Sequence, residues 1–261
     1  MGVLHCQGEH QNVIARRLHL PTTHRGGLGR VFAPELKSGR RGLDREQIMQ
    51  AALALLDEVG LAGLTMRRLA ERLDVKAASL YWHVQDKDDL LELLADAITA
   101  EIQPPAPGLP WRAAVEQLAW ECRRVYLAHR DAAAVLTETI PLGPNRIRLI
   151  EVSFALLLAA GFTPQETVYA GMLVNEFITH SVMEERHADA AAANAASDDL
   201  DLLTEFDRYL KNLPPATYPS IISLAPYMSE SDPEPRFRFG LATILDGLEL
   251  RLNVAQRERN L

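Results

Sequence analysis

One stretch, TMRRLAERLDVKAASLYWHVQDK from Thr65 to Lys87, constrains the fold of this chain more than any other. Met66, Leu69 and Leu73 share one face of a short helix, and Asp74 interrupts it. A second short helix, expected from about Lys76 to His83, turns Leu80 inward and Ser79, Tyr81, Trp82 and His83 outward. Two short helices around a tight turn, the second of them exposed, make a helix-turn-helix. Such a unit buries too little apolar surface to stand alone. Ile48, Ala52, Leu55 and Val59, at helical spacing upstream, supply a supporting helix.

The rest of the composition sets the class. Leu- and Ala-rich usage with 6% aromatic residues and few alternating β-branched runs predicts an all-α fold. At 261 residues the chain has room for one large or two modest domains. A formal charge of −8 excludes a protein that coats nucleic acid by bulk positive charge, so any DNA binding is local. Between Asp44 and Gln103, six Lys and Arg face twelve Asp and Glu. A DNA-docking face therefore requires Arg67, Arg68, Lys76 and Lys87 to share one side while Asp88, Asp89, Glu92 and Asp96 point away. Two cysteines, Cys6 and Cys122, imply no disulfide framework and fit a reducing cytoplasm; Cys122 lies on an apolar stripe and is expected in the core. The apolar run Phe154–Phe162 is too short to span a bilayer, and no leader-like apolar region is visible at the N-terminus.

Residues 1–42 carry seven cations, Arg16, Arg17, Arg25, Arg30, Lys37, Arg40 and Arg41, against Glu9 and Glu35. This basic, glycine-punctuated extension reads either as an arm for phosphates or the minor groove, or as an unordered tail. His5, Cys6 and His10 lack a fourth ligand and do not make a metal site. Asp44, with Gln47 in the capping-box position, should open the first helix, which ends near Gly60. Thr65 is placed as the N-cap of the second helix, with Arg67 and Arg68 in its first turn facing phosphate. On the third, Ala77 and Ala78 leave a small leading edge whose methyls suit thymine, Ser79 can bond a base edge or phosphate, and Trp82 is expected partly in the core with Tyr81 and His83 on the DNA backbone. A fourth helix from Asp86 to Gln103 precedes the linker at residues 104–108, the clearest boundary in the chain. Three segments follow: a basic extension at 1–42, a reading domain at 43–103 and a helical domain at 104–261.

The run IMQAALALLDEVGLAGLTMRRLAERLDVKAASLYWHVQDKDDLLELLADAI resembles the DNA-binding domain of the TetR family of one-component repressors. By that resemblance Arg67, Ala77, Ala78, Ser79, Tyr81, Trp82, His83 and Lys87 stand where the family contacts operator DNA; Thr65, Arg68 and Lys76 join them on their own chemistry. Asp74 departs from the family's usual glycine, at a turn aspartate can make at modest cost.

Beyond the linker, a stripe of Trp111, Val115, Leu118, Cys122 and Val125 predicts a helix to about Arg130, with a short one at 132–139. Ile147–Ala160 is apolar nearly all round and is expected to be buried on most sides. Thr163 and Pro164 open a helix to about Ala188, followed by a loop at 189–201, a helix at 202–213, a proline-rich connector at 214–235 and a last helix at 236–257, where Gly240 and Gly247 allow close approach of a neighbour. The segment RFRFGLATILDGLEL resembles the end of the C-terminal domain in tetracycline-binding members of the family. There, the last helix and the one placed at 164–188 form a four-helix dimer interface, and a small molecule in the core shifts the fourth helix.

The same resemblance puts Gln103 and Leu136 where the tetracycline-binding members have histidines that hold drug and magnesium, and Leu118 where they have an asparagine; Glu184 is retained. Without that metal ligand, a largely apolar, metal-free effector pocket is expected, lined by Gln103, Leu118, Cys122, Leu136, Thr139, Ser153, Asn175, Phe177 and Glu184. The reading is a homodimeric repressor of a palindromic operator with no cofactor. Alternatives are an activator, a DNA-binding protein without effector, and a helical-bundle metalloenzyme. The last rests on E-x-x-H at Glu184–His187, for which no second copy occurs.

Overall fold

The structure, a computed structural model, describes residues 44–197, 202–228 and 232–259. The basic extension and the His5, Cys6 and His10 trio lie outside them. Among the described residues there is no strand, in agreement with the all-α expectation. The elements are α1 (Arg45–Gly63), α2 (Met66–Arg72), α3 (Ala77–Leu80), α4 (Lys87–Ala100), α5 (Trp111–Ala128), α6 (Ala132–Glu138), α7 (Pro144–Ala160), α8 (Pro164–Ser197), α9 (Leu202–Lys211), α10 (Pro219–Met228) and α11 (Pro233–Arg259). They fall into two compact units, one reaching Thr179 and one beginning at His180, both within α8.

Local chemistry explains the starts and stops in the first unit. Asp44 accepts the Gln47 amide at 2.7 Å while the Gln47 side chain takes the Asp44 N–H, the reciprocal box that opens α1. Gly60, at φ +70°, kinks α1 before its last residues. Thr65 caps α2 by accepting the Arg68 amide, and Asp86 caps α4 by accepting that of Asp89. Asp74 takes φ +52°, the left-handed turn expected of it. Fully buried Ile48, Leu56, Leu64, Leu69, Leu80, Leu90, Leu93 and Leu94 join α1 to α4 into one core. Helix α4 packs onto α1, α5, α6 and α7. Gly161, at φ +103°, closes α7, and Phe162 just beyond it meets Trp111 edge to face at 5.5 Å.

Several expectations are corrected. The third helix is only Ala77–Leu80, because residues 81–83 form turns. Helix α4 ends at Ala100 rather than Gln103. Trp82 is 89% exposed and belongs to no core. Helix α7 is not buried on most sides: of residues 147–160 only Leu157 is buried, and Ile147 and Leu158 stand half in water. The anticipated loop after Ala188 is helical to Ser197, since alanine has the highest helix propensity and the run contains no breaker. The proline-rich connector holds α10, begun by Pro219 at a first-turn position where a missing N–H costs nothing.

In the second unit α9 and α10 pack on each other, with Leu210 and Ala225 buried. Helix α11 buries Phe237, Leu241, Leu245, Leu248 and Leu252 along one stripe and leaves Phe239, Leu250 and Val254 exposed. A Cβ at Gly247 would meet nothing within 4 Å, so within this chain that glycine serves no close approach.

Candidate functional site

The eleven candidate DNA contacts lie on one continuous segment of the first unit, residues 65–87. Thr65, Arg67, Arg68, Lys76, Ala77, Ala78, Ser79, Tyr81, Trp82 and Lys87 are exposed and His83 is half-buried. Buried Leu69, Leu80 and Val84 anchor the segment from beneath, so the polar and aromatic side chains are held outward. Several cations are already engaged. Arg67 pairs with Glu71 at 3.4 Å, Arg68 donates to the Gly63 carbonyl at 3.1 Å, Arg72 pairs with Glu58, and the Lys87 ammonium donates to the Leu61 carbonyl at 3.2 Å. Of the four carboxylates expected to point away, Asp88 is exposed on the first turn of α4. Glu92 and Asp96 are 6% exposed, buried in the core instead of pointing to solvent, and Asp89 accepts the Gln85 amide at the start of α4.

Sequence reasoning missed the joint between α1 and the α5–α6 turn. Asp131, in the left-handed region at φ +57°, accepts the Leu61 amide at 2.7 Å. Asp57 accepts the Arg130 amide at 2.9 Å and contacts His129 Nδ1 at 3.3 Å. The other ring nitrogen of His129 meets Glu101, at the end of α4, at 2.9 Å. Arg130 donates to the Glu58 carbonyl. A Cβ at Gly60 would stand 2.8 Å from the Asp131 carboxylate, so glycine is what lets the turn close on α1. The partners on α1 lie 70 to 73 residues from the turn and Glu101 lies 28 from His129, and no local pattern marks them.

A second unforeseen cluster lies where α4, α6 and α7 meet. The Asp96 carboxylate accepts the backbone amides of Asn145 and Arg146, at 2.8 and 3.0 Å, and the Asn145 side-chain amide at 2.9 Å. It thereby caps the first turn of α7 from a different helix. A Cβ on Gly143 would fall 2.2 Å from that carboxylate. The buried Arg146 guanidinium donates to Thr139 Oγ1 at 2.6 Å, to the Leu136 carbonyl at 3.0 Å and to the Ile140 carbonyl at 3.2 Å, closing the end of α6. Burial pulls its pKa down, and the nearby Tyr126, Asp96 and Glu92 oppose that shift. Tyr126 itself is pushed well up by burial.

The nine candidate effector residues separate by burial. Leu118, Cys122, Leu136 and Thr139 are buried around α5 and α6, with Thr139 Oγ1 donating to the Val135 carbonyl while it accepts from Arg146. The Cys122 thiol is pushed up to about 12, chiefly by burial. Ser153, which donates to the Leu149 carbonyl, and Phe177 are half-buried. Gln103 and Asn175 are exposed, the backbone amide of the former donating to the Glu121 carboxylate at 3.2 Å. In the second unit Glu184 is exposed and faces Arg236 at 3.4 Å and His180 at 3.7 Å. Among the described residues no group of three or more His, Cys, Asp or Glu side chains could hold a metal ion, and no helix is long and apolar enough to cross a membrane.

Comparison with known proteins agrees with this arrangement. Residues 48–94 match the family model for bacterial regulatory proteins of the tetR family, and residues 104–252 match that for the tetracyclin repressor-like C-terminal domain. A transcriptional regulator of the helix-turn-helix type from Saccharopolyspora erythraea is 42% identical over 67% of this chain and 77% of its own. The class C tetracycline repressor from Escherichia coli is 34% identical over 79% of this chain and 91% of its own. Among solved structures, ActR of Streptomyces coelicolor in complex with actinorhodin superposes with a TM-score of 0.71 at 34% identity, over 79% of this chain and 95% of that one.

Proposed function

Because the chain belongs to the TetR family of transcriptional regulators, and is no enzyme, we propose that it represses transcription as a homodimer on a palindromic operator and is released by a small, largely apolar effector without a metal ion. The observation that carries the reading is the segment Tyr81–Trp82–His83, with an indole 89% exposed, following the exposed Ala77, Ala78 and Ser79. Exposed Tyr81 and Trp82 stand next to each other in the turn after α3, and a grouped aromatic edge suits contact with another surface.

A pair of copies suits the groove spacing of DNA. One helix-turn-helix reaches too few bases, while two spaced about 34–36 Å apart meet successive major grooves on one face of the duplex. The exposed Val168, Tyr169, Met172 and Leu173 of α8 and Phe239, Leu250 and Val254 of α11 supply apolar surface for pairing with a second chain. Release needs differential contacts in the DNA-bound and free arrangements. The joint through Asp57, His129, Glu101 and Asp131 supports such coupling, since it ties α1 and the end of α4 to the α5–α6 turn of the effector core. Apolar Leu118 and Leu136 and a cysteine held as a neutral thiol favour an uncharged, metal-free ligand face.

The test combines sedimentation with fluorescence anisotropy on DNA selected by the purified chain. A dimer is expected, with Tyr81→Ala weakening binding by about 10- to 100-fold while the dimer persists. ActR was solved with actinorhodin, which makes that compound the first effector to titrate. Tetracycline with magnesium is expected to leave the DNA bound. A monomer at working concentration, unchanged binding by Tyr81→Ala, or efficient release by magnesium–tetracycline each contradicts the corresponding part.

A further inference from the structure

Within the helix-turn-helix segment, one cation differs from the rest. Arg67, Arg68, Arg72 and Lys87 are each committed to a carboxylate or a carbonyl of the same chain. Lys76 is exposed, makes no side-chain cap for α3, and has no ion pair or side-chain hydrogen bond among the described residues. Its backbone is nonetheless fixed, because its carbonyl accepts the Ser79 amide at 2.8 Å and its dihedrals are the extended φ −70°, ψ 138° that precede the turn of α3. A held backbone carrying an uncommitted ammonium is a suitable base reader.

The neighbours decide which base. Exposed Ala77 and Ala78 follow at once, and methyl groups neither donate nor accept, so they allow this edge close to the groove floor without competing for polar atoms. Ser79, also exposed, both donates and accepts through its hydroxyl and does not separate the purines. An ammonium has three donors and no acceptor. In the major groove only guanine offers two adjacent acceptors, O6 and N7, whereas adenine places an amino donor beside N7 and cytosine presents a donor alone. We propose that Lys76 is the specificity-determining residue of the operator half-site and reads a guanine through O6 and N7, with Ala77 and Ala78 against the adjoining thymine methyl groups.

This inference rests on the operator-binding reading, and the experiment separates the two. Binding sequences are selected from a randomised duplex pool by the full chain, by Lys76→Met and by Lys76→Arg, and affinities of single-base variants are measured across a salt series. The wild-type chain is expected to select a palindrome with one guanine per half-site preferred on the order of 5- to 150-fold over other bases. Lys76→Met should flatten that position alone, and Lys76→Arg, which also bonds O6 and N7, should keep it. The substituted side chain is exposed and unpartnered, so the circular dichroism of both variants should match the parent. If Lys76→Met instead weakens every sequence equally and the salt slope falls by about two per dimer, the ammonium serves phosphates and the inference fails. A selected palindrome whose preferences are untouched by Lys76→Met overturns the inference and leaves operator binding standing. No selected sequence at all overturns both.

Discussion

The edge at residues 65–87 and the junction of α4, α6 and α7 both carry charged and hydroxyl side chains, with opposite fates. At the edge, Trp82, Tyr81, Lys76 and Ser79 stand in water, held outward by a few leucines beneath them. At the junction, Asp96, Arg146 and Thr139 are buried, and their polar groups are turned on one another and on the ends of two helices. Groups in water can stay partly uncommitted, as Lys76 does, or make weak exposed pairs, as Arg67 does with Glu71, while a buried polar cluster is tolerable only when its groups are paired. The contrast predicts where substitutions act: with little effect on stability at the edge, and on stability and interhelical geometry at the junction.

The largest effect expected is at the junction. Asp96→Ala removes the acceptor for two helix-end amides and one side-chain amide and leaves Arg146 buried beside one carboxylate fewer. It should lower unfolding free energy by about 3–5 kcal/mol in a urea titration. Asp96→Asn, which keeps one acceptor oxygen, should fall between that value and the parent. Trp82→Ala, by contrast, should change stability by no more than about 0.5 kcal/mol. Equal losses for Asp96→Ala and Trp82→Ala would erase the distinction between the two regions.

A smaller change tests the turn that aims the edge. Asp74 holds φ +52°, and glycine takes that conformation without a Cβ penalty. Asp74→Gly should raise stability by about 0.5–1 kcal/mol, read from the same titration. A loss of stability would mean that the carboxylate contributes more than its backbone strain costs. Smallest of all is an effect on reactivity. The Cys122 thiol, raised to about 12 by burial, should be almost wholly protonated at pH 8 and inert to a disulfide reagent in the native chain, then react once denaturant is added. The assay uses a Cys6→Ser background so that one thiol is followed. Immediate reaction in the native chain would show that the α5 core admits solvent.

Much of the reading domain was legible because its signals are local. Asp44 with Gln47, Thr65 with Arg68 and Asp86 with Asp89 are caps whose partners lie three residues apart, and Asp74 at its turn needs no distant neighbour. Trp82 was misplaced because its bulk suggested burial, whereas the turn at residues 81–83 carries it clear of the core. The effector core was less legible. Leu118, Leu136 and Cys122 are buried as their apolar stripes imply, but residue type alone does not distinguish Thr139, bonded to Arg146, from a side chain awaiting a ligand. Helix α7 shows the same weakness from the other side, since an apolar sequence states a capacity for burial and does not say what will cover it.

By itself the sequence determined that this chain is helical and that a helix-turn-helix lies at residues 65–87, because helix periodicity, capping and turn chemistry act over three or four residues. Only the tertiary structure decided that Asp96 caps α7, that Asp131 and His129 join the α5–α6 turn to α1 and α4, and that Lys76 is left uncommitted while its neighbouring cations are engaged. Those outcomes depend on which groups from distant parts of the chain meet in space, and pairing of buried charges is settled by three-dimensional proximity rather than by order along the backbone.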